Sequence, residues 1–431
     1  MREVYKSSIV ILLVLLSWVT VVYSYASVPT SNSPADPSLL FWLVPWGPGT
    51  DTYQLVTPYL PKVIIGVVFA FHTYGLGNQN VTLGVALSYD NNGQWISAQL
   101  SKLQAVYNKS NIMLVNFFLT TTYYRGNLTN LTTTQLLLLN YTLHQIANIT
   151  DGGRKLIVGV SEMNKLNLSS FYEIYSLIRQ VLPNAQLFYY ASPGQNVSSI
   201  ESIFLYLQSK GITLNYLGYA VYPFPSYNFS DGTIYIPSNY VQQIMELKDF
   251  ATLHNTNFFI GEVGFRDGDV KGYYNPASLA YIDFNQTTGY NMTIKFYEDV
   301  VNQLASMGIS LIGVWNLDGA FGDPYGLWRN PDFNSLLEFV GITPVNDAFI
   351  TVISTLPYYY INGSIYHSNR TYLVTVPANL TFVEVDYPNN KTRFLLASVQ
   401  GMDNSSLPTV IIDKDGIYVI NATYVTQYYV T

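Results

Sequence analysis

Residues 156–164 read Leu-Ile-Val-Gly-Val-Ser-Glu-Met-Asn, and residues 258–265 read Phe-Phe-Ile-Gly-Glu-Val-Gly-Phe. In both, a short apolar run passes into a glutamate with no polar alternation before it. A strand of that kind is buried on both faces, as in a parallel sheet covered by helices. Working outward, similar runs occur at Leu40–Val44, Val63–Phe71, Val81–Leu87, Ile112–Leu119, Gln186–Tyr190, Tyr216–Val221 and Ser310–Trp315. Helix-length segments separate the later ones: Gly93–Tyr107, Thr132–Ile149, Ser169–Leu182, Ser198–Lys210, Ser238–His254 and Thr293–Met307. This alternation predicts an α/β fold, a (β/α)8 TIM-type barrel over residues 40–342. There are nine candidate strands for eight places, so one of the first three is expected outside the barrel, as a hairpin or an N-terminal lid. An open doubly wound sheet fits less well, because no glycine-rich phosphate loop follows the first strand.

From about Val345 the rhythm changes. Phe349–Ser354, Thr371–Val376, Thr381–Val385, Arg393–Val399 and Val410–Ile412 follow one another without helices. Asp415-Gly416, before Ile417–Ile420, is a hairpin signal. Residues 343–431 are therefore expected to form a small β-sandwich, an accessory domain without clustered titratable groups.

The composition narrows the function classes. The 431 residues carry 20 Lys and Arg against 27 Asp and Glu, a net charge of −7, which argues against a nucleic-acid partner. With no cysteine there is no disulfide, thiolate metal site or thiol nucleophile. The four histidines, His72, His144, His254 and His367, do not sit at ligand spacing, so no metal or cofactor is expected. Asp267 and Asp269 in Arg-Asp-Gly-Asp-Val-Lys-Gly read as a solvated turn before a calcium loop. Charged residues make up only 11% while tyrosines number 38, so the polar surface comes from Asn, Thr, Ser, Gln and phenols. Such a surface loses little solvation when carboxylates are protonated, and the composition resembles surface proteins of thermoacidophilic archaea.

Arg2 and Lys6 precede an uncharged run from Ile9 to Tyr23, followed by Ser24-Tyr25-Ala26. That is the layout of a signal peptide over residues 1–26, with an uncleaved anchor as the alternative. A Ser/Pro-rich linker over 27–39 follows. Seventeen Asn-x-Ser/Thr sequons, among them Asn80, Asn127, Asn130, Asn140, Asn148, Asn228, Asn291, Asn379 and Asn421, agree with an exported, glycosylated protein, extracellular or at the cell surface. Association with the cell envelope is compatible with the same reading.

In a (β/α)8 barrel the functional residues lie at the C-terminal ends of the strands. Those ends read Ser161-Glu162-Met163-Asn164, Tyr222-Pro223-Phe224-Pro225, Gly261-Glu262 and Trp315-Asn316-Leu317-Asp318. Two glutamates three strands apart, in a chain this poor in charge, point to paired-carboxylate chemistry. The plainer reading makes them loop carboxylates or helix caps.

These segments resemble the clan A glycoside hydrolases, barrel enzymes that include cellulases, mannanases and endo-galactanases. The likeness covers roughly residues 60–340. It implies Glu162, in LIVGVSEMN, as the acid/base after strand four, and Glu262, in FFIGEVGF, as the nucleophile after strand seven. By the same resemblance, Tyr222 in LNYLGYAVYPFP contacts the nucleophile and Trp315 in LIGVWNLDG floors the subsite of the cleaved sugar. DPYGLWRNPDFNSLLEF is similar to the closing loop and last helix of these barrels. Many families of the clan have asparagine before the acid/base, where this chain has Ser161, and a basic residue near the end of strand two, for which His72 is the candidate. Asn164 and Asp318 complete the substrate-binding candidates, and carbohydrate is the implied partner.

The chemistry needs one carboxylic acid to protonate the leaving oxygen and one carboxylate to attack the anomeric carbon, about 5–5.5 Å apart in a retaining enzyme. Glu262 is expected to stay ionised through Tyr222 and backbone donors, and Glu162 to be raised by its apolar neighbour Met163. Trp42 and Trp46 read as core or domain contacts as readily as sugar platforms. Two other readings stand beside the enzyme: a non-catalytic surface protein that keeps the barrel for glycan binding or envelope structure, and a solute-binding lipoprotein, disfavoured because no lipobox cysteine is present.

Overall fold

The computed structural model describes residues 37–428, except 46–51, 61, 77–80, 120–128, 164, 193–194, 222–225, 228–232, 266–285, 320–325, 331, 343–346, 390–391, 401–407 and 413–415. The signal-peptide, linker and anchor expectations, Trp46, Asn164, Tyr222, Asp267 and Asp269 lie outside the described residues.

Eight strands close into a parallel barrel: β1 (Ser38–Leu43), β2 (Ile64–Ala70), β3 (Met113–Phe118), β4 (Leu156–Ser161), β5 (Gln186–Ala191), β6 (Tyr216–Ala220), β7 (Asn257–Val263) and β8 (Leu311–Val314). Each pairs with the next, and β1 pairs with β8, Leu40 opposite Gly313. Leu40–Val44 and Val63–Phe71 thus both supply barrel strands. The surplus candidate is Val81–Leu87, which forms neither hairpin nor lid strand. It lies mostly in a short helix, α1 (Leu83–Ser88), whose N-cap Thr82 accepts the Val85 N–H. Ala86 is the one buried residue of that helix, so a strand buried on both faces was never available to it.

The longer helices α2 (Asn92–Tyr107), α3 (Thr133–Thr150), α4 (Leu168–Val181), α5 (Val197–Ser209), α6 (Ser238–Leu253) and α7 (Gln286–Ser306) surround the barrel, with the short α8 (Phe333–Phe339) after β8. Side-chain caps start three of them: Thr132 with Gln135 in a capping box, Asn167 and Asn196. The main core lies between strands and helices. A second core fills the barrel: Leu40, Trp42, Val68, Leu114, Ile157, Phe188, Tyr190, Ala220 and Phe259. Its large rings fit because glycine stands opposite them. A Cβ on Gly66 would lie 2.3 Å from the Trp42 ring, and one on Gly261 2.3 Å from the Tyr190 ring.

The tail is a β-sandwich. One sheet holds β9 (Asp347–Ser354), β12 (Thr371–Thr375), β14 (Val385–Asn389), β15 (Thr392–Gln400) and β17 (Gly416–Tyr428); the other holds β10 (Tyr358–Ile361), β11 (Ser364–His367), β13 (Ala378–Thr381) and β16 (Thr409–Ile412). Ile350, Val352 and Ile420 from the first pack on Tyr359, Leu380 and Ile412 from the second. The strands on either side of Asp415 do not form the expected hairpin: β16 pairs with β13, while β17 crosses to the other sheet and runs parallel to β9. A strand of 13 residues finds partners along its length only in the larger sheet, against β9 and β15. Val419 of β17 packs on the barrel's outer core.

Candidate functional site

The centre of the site is an irregularity in β7. In a regular strand alternate residues share a face, and Phe259 points into the barrel while Ile260 packs outward under the helices. Regular alternation would then send Glu262 outward. Pairing shifts at this point on both sides: Tyr219 lies opposite Ile260 but Ala220 opposite Glu262, and Ile312 opposite Ile260 but Val314 opposite Val263. The extra residue is a β-bulge. Gly261 and Glu262 both face inward, and Val263 resumes the outward position. Trp42 Nε1 donates to the Gly261 carbonyl at 2.7 Å, tying the bulge to β1.

Glu262, 6% exposed, accepts at Oε1 from the Tyr190 hydroxyl at 2.5 Å. Tyr190 Oη in turn accepts from Asn116 Nδ2 at 3.1 Å, and the same amide donates to Ser161 Oγ at 2.9 Å. Four strands, β3, β4, β5 and β7, thus contribute to one buried chain. Burial pushes the Glu262 carboxyl well above the usual carboxylate range, the Glu162 charge pushes it further, and the Tyr190 hydrogen bond pulls it back. Burial and the charges of Glu262 and Glu162 push the Tyr190 phenol well up, against a smaller pull down from its hydrogen bond with Ser161, so it stays a donor. The expectation that Tyr222 keeps Glu262 ionised falls on a residue outside the described ones; among the described residues its side-chain donor is the neutral Tyr190 phenol, while burial works against ionisation. That donor comes from β5.

Glu162 follows β4 directly and is half-buried. Its φ of +57° lies in the left-handed region, rare for a residue with a side chain, and its N–H donates to the Tyr190 carbonyl at 3.0 Å. Tyr190 therefore holds both glutamates, one by its backbone and one by its phenol. Trp315 follows β8, its ring half-buried against the interior core, its N–H on the Val263 carbonyl at 2.8 Å. Phe118, at the end of β3, is a second half-buried ring packed on that interior core.

The other candidates fall elsewhere. His72 sits just past β2, with Nδ1 2.7 Å from Asp90 Oδ2 and its ring edge-on to Trp95 at 4.4 Å. Buried Asn92 grips its backbone, accepting from the His72 N–H at 2.8 Å and donating to its carbonyl at 2.7 Å. Asp318, read from the sequence as substrate-binding, is fully buried. Its carboxylate accepts from the Val44 N–H at 2.6 Å, from Lys102 Nζ at 2.6 Å and from Thr52 Oγ1 at 3.3 Å. It fastens the strand-eight end to β1 and α2 and is closed off from solvent. Trp42 is likewise an interior core residue.

Asn116 and Tyr190 were missed. A lone asparagine inside the apolar run Met-Leu-Val-Asn-Phe-Phe (113–118) was the signal for the first. Among 38 tyrosines nothing singled out the second.

No protein-family model and no curated protein matches the chain. Among solved structures it is similar to a GH53 catalytic domain from Ignisphaera aggregans, at 13% identity and a TM-score of 0.45, over 73% of this chain and 98% of that one. It is also similar to a hyperthermophilic endocellulase from the archaeon Pyrococcus horikoshii, at 12% identity and a TM-score of 0.39, over 70% and 92%. A third is a glycoside hydrolase family 5 mannosidase from Rhizomucor miehei, at 10% and 0.42, over 64% and 83%. The barrel itself is shown by its closed ring of eight paired strands.

Proposed function

We propose that the chain is an exported, glycosylated glycoside hydrolase that cleaves β-linked glycan with retention, Glu262 acting as nucleophile and Glu162 as acid/base. The observation that carries this reading is the bulge at Gly261, which spends a break in the sheet to turn a carboxylate inward within electrostatic reach of a second one. Two interacting carboxyls titrate as a pair, and over a range of pH they share one proton. That is the state double displacement requires. The carboxylate form of Glu262 attacks the anomeric carbon while the acid form of Glu162 protonates the departing oxygen; Glu162 then deprotonates the water that releases the sugar. Half-buried Trp315 and Phe118 offer rings for the sugar's C–H faces, and His72, held by Asp90, offers a ring nitrogen.

The substrate partner is carbohydrate in this reading, and export rests on the signal-like N-terminus and the sequons. Ten sequon asparagines, at 108, 130, 140, 148, 167, 196, 362, 369, 379 and 421, have a described burial, and each is exposed or half-exposed. That agrees with a glycosylated surface.

The deciding experiment is hydrolysis of a panel of β-linked glucans, mannans, galactans and envelope glycans across pH 2–7, with Glu262→Gln in parallel. Reducing ends released by the wild type and lost in the variant are expected. One observation favours a second reading, a non-catalytic glycan-binding or envelope barrel: Glu262 is only 6% exposed. Silence of the wild type on every glycan, with glycan binding retained, would establish that reading instead.

A further inference from the structure

Tyr190 has a single hydroxyl proton. When Glu262 is ionised it can only accept, so that proton goes to Oε1, and the phenol oxygen must itself accept from elsewhere. Two groups face it: the Asn116 amide on β3, 1% exposed, and the hydroxyl of Ser161 on β4. The Asn116 amide nitrogen has two hydrogens, and the structure uses both, one on Tyr190 Oη at 3.1 Å and one on Ser161 Oγ at 2.9 Å. Asn116 Oδ1 is buried with no hydrogen-bond partner among the described residues. A buried amide carbonyl left unpaired costs free energy, and turning the amide over would pair it. The turned amide, however, would place the carbonyl oxygen against Tyr190, where it competes with Glu262 for the phenol's proton.

From this geometry we infer that Asn116 is a positioning residue for the proposed nucleophile: it directs the Tyr190 proton onto Glu262 Oε1. Ser161, directly before Glu162, anchors the amide. A polar chain through the barrel thus joins the loop of one glutamate to the side chain of the other. Neither Asn116 nor Ser161 reaches solvent, both being buried, so their part is played through Tyr190. The inference rests on the proposed nucleophile for its meaning in catalysis, but not for its measurement.

The test is the titration midpoint of the Glu262 carboxyl, read by 13C NMR on protein labelled at glutamate Cδ and assigned with Glu262→Gln. Tyr190→Phe is expected to raise the midpoint by about one pH unit, the size of one hydrogen bond to a charged group. Asn116→Leu, which leaves Tyr190 in place, is expected to raise it by about half as much, and Ser161→Ala by less again in the same direction. If Asn116→Leu does not fold, Ser161→Ala carries the test, since it changes the volume little and removes both the anchor of the amide and the hydroxyl that faces Tyr190. An unchanged midpoint in Asn116→Leu, or in Ser161→Ala where that variant is the one that folds, overturns the inference whatever Tyr190→Phe does. In active protein the acidic limb of the pH–rate profile is expected to follow the same midpoints. A protein that hydrolyses nothing, yet shows the ordered shifts, would sink the enzyme reading and leave this one standing.

Discussion

Two carboxylates lie side by side in the plan of this barrel, one in β7 and one just after β8, and both are buried. Asp318 is surrounded by what a carboxylate needs: a backbone N–H, a hydroxyl and the Lys102 ammonium, itself 2% exposed and also donating to the Val44 carbonyl at 2.9 Å. Burial pushes its pKa up, and all the other contributions, led by the Lys102 charge, pull it down. Among the described residues Glu262 has one neutral side-chain donor, Tyr190, and a like charge for a neighbour, so burial and Coulomb repulsion act in the same direction. The difference separates a carboxylate used as a fastener from one held in an unsatisfied state, which is where reactivity is found. Position at a strand end alone does not distinguish them.

The sharpest way to break this comparison is to neutralise each in turn. Glu262→Gln is expected to cut hydrolysis by at least about a thousandfold, the scale of losing a nucleophile, with the fold intact by circular dichroism. For Asp318→Asn, or for Lys102→Met, the prediction is a loss of stability of about 3–5 kcal/mol, because the partner charge is left buried alone. Replacing both, as Lys102→Met with Asp318→Leu, should recover much of that in a denaturant melt. A double variant no better than the singles would show that the pair is not the fastener.

A third effect is smaller and depends on pH. A carboxyl whose folded-state pKa is raised contributes stability that is present below its unfolded value, about 4.3, and lost as pH rises through the folded value. Glu262→Gln should therefore leave acid-pH stability unchanged and raise stability at neutral pH, by about 1.4 kcal/mol for each pH unit of separation. Melting curves of the two proteins that stay parallel from pH 3 to 8 would refute the raised pKa. The smallest expected change is at Thr52, the longest of Asp318's contacts at 3.3 Å. Thr52→Val should cost about 1 kcal/mol or less, as for one ordinary hydrogen bond, and leave activity untouched.

Much of this was legible before any coordinates. Doubly buried strands announce themselves by unbroken apolar runs such as Leu156–Val160, and eight of the nine candidates are barrel strands. The glutamates were visible because charge is so scarce. What stayed hidden depends on register or on contacts between distant segments. Nothing in Ile-Gly-Glu-Val says that Gly261 and Glu262, consecutive in the chain, share one face. The Lys102 ammonium, 216 residues before Asp318, looks like any helix lysine until α2 is laid against the barrel. Val81–Leu87 misled because a short apolar run of helix and one of strand share the same letters.

The indole of Trp42 offers a consequence that needs neither substrate nor mutant. Its Nε1–H ends on the carbonyl of the very residue at which β7 goes out of step. In a 15N-labelled sample, that one proton's chemical shift and its rate of exchange with deuterated solvent report whether the bulge is closed. Followed through heating or acid, the signal would say when the glutamate ceases to be aimed, separately from when the protein unfolds.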